Sequence, residues 1–268
     1  MPGTSRFESL IAEAEEHPLG GWDFSWIRGR YEENEVPWDY NALVKKRARE
    51  SPDLLDIGTG GGERLASLAP LPARTVATES YPPNVPIARR RLAPLGVEVI
   101  WTSAAPGNQS VPLARAPHRT AGLLPFRDES FHLVIDRNEA FLASEVARVL
   151  VPGGRLVIEM TGGSHFPELC ESLGLPVLPN PFWMLSNAKR QLRDAGLKVT
   201  RSEEAYYEMS FMDVGALVWY LRMIPWAAPG FSVRGQRERL RRLHLKMEKE
   251  GPIRIPRYGF WLEALKGK

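Results

Sequence analysis

The sequence predicts an α/β protein built on one doubly wound, mainly parallel sheet of seven strands. Three observations predict it. Short apolar runs alternate with helical stretches from residue 53 onward, and a glycine cluster closes the first of those runs. The length of 268 residues, 43% hydrophobic and 25% charged, suits one large α/β domain with added cover. Strands alternating with helices at this spacing place helices on both faces of a parallel sheet.

Each element has its own signal. Asp53–Ile57 (DLLDI) follows Ser51-Pro52 and reads as a buried strand. Glu63–Leu68 is a short helix, Arg74–Glu79 the second strand, Asn84–Leu92 a helix and Val97–Thr102 the third strand. Residues 104–121 are rich in Pro, Gly and Arg and read as a mobile loop. Phe131–Asp136 is the fourth strand. Phe141–Leu150 is a helix stopped by Val151-Pro152-Gly153-Gly154, and Arg155–Met160 is the fifth strand. Ser186–Ala195 is a helix with Gly196 as its cap, and Leu197–Glu204 and Tyr258–Leu265 complete the seven.

Two segments fall outside the alternation. Residues 1–50 form an N-terminal cover, with six aromatics between Trp22 and Tyr40. Residues 205–257 form an insertion before the last strand of the 51–268 domain, and contain the apolar run Asp213–Ile224.

Composition excludes several classes. No run of 18 apolar residues occurs and the N-terminus lacks a basic-then-apolar signal, so a cytoplasmic protein without membrane attachment is expected, as monomer or homodimer. One cysteine, Cys170, excludes an internal disulfide and any multi-cysteine metal site, and no HExxH occurs. A net charge of +3 is far from that of a dedicated nucleic-acid binder.

The strongest chemical signal is Asp56-Ile57-Gly58-Thr59-Gly60-Gly61-Gly62-Glu63, between the first strand and a helix. Glycine at 58 and 60 lets the backbone turn tightly and approach a ligand. Glu79 closes the second strand, where an acid can accept from both hydroxyls of a ribose. A dinucleotide would want a third glycine at 63, but Glu63 is there, and an acid at the helix start repels a pyrophosphate. No P-loop occurs. S-adenosylmethionine carries a sulfonium cation and no phosphate, and suits an acid-flanked loop.

Taken together, DLLDIGTGGGE, the acid of TVATE, LLPFRDESFHLVID and RVLVPGGRLVIEM resemble the successive motifs of class I S-adenosylmethionine-dependent methyltransferases over residues 50–160. GWDFSW, VPWDY and DVGALVWYLRMIPW are also similar to a bacterial branch of that superfamily whose members mostly lack an assigned substrate. The resemblance implies a Rossmann-like sheet of order 3-2-1-4-5-7-6 with the last strand antiparallel. It also implies a methionine moiety over residues 58–60 and a ribose on Glu79. The cofactor-contact set it implies is Asp56, Gly58, Thr59, Gly60, Glu79, Ser80, Ser103, Asp136, Arg137 and Asn138. The family's adenine-reading acid after the third strand is replaced by Thr102-Ser103-Ala104, and His132 stands where its SFDxV has an acid.

Methyl transfer from a sulfonium needs positioning and desolvation, with a base only where the acceptor loses a proton. Glu139 and His165, following the fourth and fifth strands, are the candidate bases. Trp22, Trp26, Trp38, Trp219 and Tyr220 are the candidate substrate wall, which favours a small planar or apolar acceptor. The alternative is RNA methylation through Arg234–Lys249, where five arginines and two lysines face two glutamates. Leu240, Leu243 and Met247 give that helix a core-facing stripe, so its basic face reads as solvated.

Overall fold

The computed structural model describes residues 2–20, 22–105, 122–163, 166–177 and 183–268. The chain enters through helix α1 (Pro2–Glu16), a 3₁₀ turn at Ser25–Ile27, strand β1 (Tyr31–Glu33) and helix α2 (Tyr40–Arg49), whose N-cap Asp39 accepts from Ala42 N. The alternating core follows as β2 (Asp53–Ile57), α3 (Glu63–Ser67), β3 (Arg74–Glu79), α4 (Val85–Leu92), β4 (Glu98–Trp101), β5 (Phe131–Arg137), α5 (Ala143–Val149) and β6 (Leu150–Gly162). Then come α6 (Pro167–Leu173), α7 (Leu185–Asp194), β7 (Leu197–Phe211), α8 (Val214–Met223), α9 (Val233–Glu250) and β8 (Ile253–Lys266).

These strands make one sheet of order β1-β7-β8-β6-β5-β2-β3-β4. The seven strands from β2 onward have the expected order, with β8 antiparallel to both neighbours. The eighth is a correction to the seven-strand expectation. Tyr31–Glu33 of the N-terminal cover pairs antiparallel with Met209–Phe211, because β7 runs on to Phe211 instead of ending near Glu204. Its alternating run Ala205–Phe211 presents Met209 and Phe211 to α8, and that burial extends the strand. The insertion between the last two strands is correspondingly shorter, residues 212–252.

Helix α5 ends one residue earlier than expected, and Leu150–Gly154 starts β6, with a register shift against β5 between Phe131 and Leu133. Both faces of the sheet are covered. One carries Tyr40, Val44, Leu65 and Leu92 against Leu54, Ala77 and Val157, and the other carries Val146, Ala188 and Leu192 against Leu55, Val134 and Phe260. A third cluster joins α1, α6, α8 and α9 to the far end of β7 and β8. Trp219 sits fully buried inside it, and truncating such a side chain costs about 3–5 kcal/mol. Among the described residues no helix is long and apolar enough to cross a membrane.

This arrangement brings the carboxyl ends of β2, β3, β5 and β6 together at one edge of the sheet, where an open α/β sheet holds its ligands. The expected 104–121 loop falls, from residue 106 on, outside the described residues.

Candidate active site

The loop leaving β2 turns on Gly58 (φ +69°) and Gly60 (φ +62°), a left-handed backbone that side chains resist. It is also crowded from above. A Cβ at Gly58 would run into the side chain of Glu139, and one at Gly60 into Cδ1 of Trp22. Gly60 N donates to Glu79 Oε2 at 2.6 Å, and Tyr81 N donates to Oε1 at 2.7 Å. The Tyr81-Pro82-Pro83 turn thus helps to fix the buried acid that ends β3. At the start of α3, Glu63 pairs with Arg91, which also reaches the carbonyl of Gly61.

Four carboxyl groups gather around this loop. Asp56 is buried, and burial, partly offset by the Thr59 hydroxyl and reinforced by Glu79, pushes it up to about 7. Glu79 is raised by burial against the opposing pull of its backbone amides. Asp136 is fully buried at the end of β5; burial and the nearby Glu139 and Asp56 hold it well above the ordinary carboxyl range. Its Oδ1 accepts from Glu139 N at 3.0 Å, while Oδ2 finds no donor. Glu139 is pushed up to about 7 by burial and by Glu79, and its carboxylate meets Ser80. Clustered, desolvated acids of this kind mark a site that binds a cation or moves a proton.

Ser80, Thr102, Ser103, Leu124 and Phe141 line a cavity of about 20 Å³ beside Gly58 and Glu139, room for little more than one water. Thr102 was noted in the sequence only as part of the stretch that replaces the adenine-reading acid, and Phe141 was not singled out; its only signal was position at a helix end.

The remaining candidates divide. Asn138 stands at φ +64° with its Oδ1 accepting from Thr161 N at 2.6 Å, tying the ends of β5 and β6 together. Arg137 is engaged by Glu159, to which Trp38 Nε1 also donates at 2.9 Å, so these two brace the sheet edge. Trp22 stacks on Phe24 with ring centroids 6.0 Å apart, and Phe24 meets Trp219 at 5.7 Å and Tyr220 at 5.6 Å. Trp26 stacks on His17 and leans on Trp219. Trp219 is therefore core beneath the aromatic cover and not an exposed wall, because α8 is buried on nearly every side. Trp22, 39% exposed, is the part of the cover that touches the glycine loop. His165 lies outside the described residues. Cys170 is buried in the third cluster, and His132 pairs with Asp53 at the start of β5, away from the loop.

Residues 55–158 match the methyltransferase-domain family, a span that runs from β2 through the loop and its acids to β6. Over that span the chain is similar to methyltransferase domains. The fold agrees: a candidate methyltransferase from Bacillus halodurans C-125 aligns over 85% of this chain and 99% of its own, at 19% identity and TM-score 0.58. The YcgJ protein of Bacillus subtilis aligns over 85% and 98%, at 19% identity and TM-score 0.53. The [4+2]-cyclase SpnF aligns over 99% and 94%, at 17% identity and TM-score 0.50. No curated protein matches this sequence. A methyltransferase domain implies an S-adenosylmethionine-type cofactor.

Proposed function

We propose that this methyltransferase transfers a methyl group from S-adenosylmethionine to an O, N or C acceptor on a small, planar or apolar molecule. One observation carries the reading: a left-handed glycine loop ringed by Asp56, Glu79, Asp136 and Glu139 and roofed by Trp22. Such a ring, partly ionised near neutrality, disfavours a pyrophosphate, and a sulfonium and an ammonium bound beside it favour its ionised form. The donor set fits the cofactor. The side-chain-free faces of Gly58 and Gly60 give a cradle that a Cβ would fill, and Asp136 Oδ2 is a buried oxygen without a hydrogen-bond partner.

In this reading Glu79 takes the ribose hydroxyls with the lone pairs that the Gly60 and Tyr81 amides leave free. Ser80, Thr102 and Ser103 serve the adenine end, polar groups replacing the family's acid. When bound, the cofactor supplies an electrophilic methyl whose leaving group needs no acid. Glu139, titrating near neutrality, takes the acceptor's proton where one must leave. Trp22 and Glu139 lie across the loop and swing aside for the cofactor; Trp22 then returns to exclude water. Trp22 and Phe24, backed by the buried Tyr220, offer the acceptor an aromatic wall.

The RNA alternative loses support in helix α9. Arg237 and Arg241 pair with Glu8 of α1 and lie over Phe7, so part of the basic face is engaged in packing one helix on another. Incubation with S-adenosylmethionine and either a metabolite pool or total RNA, with mass detection of the methylated product, tests the reading. Product from the metabolite pool supports it; product from RNA alone, lost in R234E/R242E, replaces it with RNA methylation.

A further inference from the structure

Arg257 lies on β8, opposite Tyr207 of β7, and is only 9% exposed. Its guanidinium stacks over the ring of Phe166 at 4.7 Å from the centroid, and its Nε finds no acceptor. Among the described residues no carboxylate pairs with it. Glu33 attracts it without forming an ion pair and accepts from the hydroxyl of Tyr31 at 2.8 Å. Burial is the largest influence on it and opposes its charge, while Tyr220, Tyr207, Glu33 and Tyr31 together pull the other way. A cation so desolvated and without a counter-ion is costly in a folded protein unless something completes it.

Its place in the fold says what completes it. Tyr207 meets both Arg257 and Thr161 through its hydroxyl, and its ring crosses the bare Cα of Gly259, where a Cβ would come within 3.1 Å of Cε1. Thr161, next to last in β6, is tied to Asn138, the residue before Glu139. On the other side, Phe166 meets Tyr220 with ring centroids 6.1 Å apart, and Tyr220 leads through Phe24 and Trp22 to Gly60. Two chains of contact thus join Arg257 to the two residues that lie across the glycine loop. Phe166, beneath the guanidinium, is held at φ +48°, a strained value for a bulky residue.

We propose that Arg257 is the acceptor anchor: it takes the carboxylate of an aromatic or apolar acid and holds it beside the carboxyl end of β6. A carboxylate matches the planar N–H face of a guanidinium, and the surrounding rings exclude water from the pair. The inference rests on the methyltransferase reading and narrows its acceptor to an acid.

The probes are 4-hydroxybenzoate and its neutral methyl ester, added to protein saturated with S-adenosylhomocysteine and followed by ligand-observed NMR. Wild-type protein is expected to prefer the acid by roughly tenfold or more. R257M should lose that preference, and R257K, which keeps the charge but not the fork, should retain part of it. Equal binding of acid and ester to wild-type protein, or no binding of the acid, overturns the proposal, as does an unchanged preference in folded R257M. If R257M fails to fold, R257K and the wild-type ratio decide. Calorimetry with S-adenosylhomocysteine on the same samples separates the two readings. Failure of wild-type protein to bind it removes the methyltransferase reading, whereas normal binding with no acid preference removes only the anchor.

Discussion

The indole of Trp22 lies against the bare Cα of Gly60, so a side chain at 60 and the indole compete for one volume. G60V should abolish cofactor binding while the protein still folds. Forcing a branched residue to φ +62° costs on the order of 1–3 kcal/mol, tolerable for a domain of this size. W22A should speed cofactor association several-fold, since lid opening gates entry. Stopped-flow binding of S-adenosylhomocysteine with melting curves checks both, and an unchanged on-rate in W22A would remove the gate.

Glu79 holds the Gly60 and Tyr81 amides at once. E79A should lose about 1.5–3 kcal/mol of cofactor affinity, the range for a charged acceptor, visible by calorimetry. Unchanged affinity would end its assignment to the ribose.

Glu139 titrates at about 7, so below neutrality the site holds a neutral acid and above it a carboxylate. Cationic S-adenosylmethionine should therefore gain on uncharged-sulfur S-adenosylhomocysteine as pH rises through 7. E139Q should flatten the ratio of their affinities across that window. A pH-independent ratio in the wild type would contradict the electrostatic role.

Asp56 also stands at about 7 in the folded chain, against an unfolded carboxyl near 4. A folded pKa above the unfolded one contributes stability that is complete below pH 4 and lost as pH rises towards 7. The wild-type protein should thus lose stability relative to D56N between pH 4 and 7, by on the order of a few kcal/mol. Above pH 8 the difference should be flat. Denaturant melts of both proteins at each pH measure it, and parallel profiles would refute the assignment.

The aromatic segment should respond to cofactor in part only. Arg30 holds Asp213 through two bonds of 2.7 and 2.6 Å, Ile27 is fully buried and Trp26 is wedged on His17. Hydrogen exchange should show added protection at Trp22–Phe24 on cofactor binding and little change over Ser25–Tyr31. Uniform change over residues 20–40 would instead make the whole segment one lid.

How much of this was legible beforehand follows from which interactions are local. The strand–loop–helix order from Asp53 to Met160, the left-handed glycines and the acid ending β3 are written in short-range pattern: period-two apolar runs, chain-breaking residues and fixed spacing. These suffice to identify the domain and the order of its sheet. Tertiary packing alone decided that Tyr31–Glu33 adds an eighth strand, that Trp219 is core, and that Arg137 faces Glu159. It alone set Glu139 across Gly58, Trp22 across Gly60 and Arg257 among tyrosines. Each of these depends on residues distant in sequence, such as Arg30 and Asp213, 183 positions apart. No local pattern encodes which side chain fills a volume, or which buried charge goes unpaired, until the sheet has closed around it.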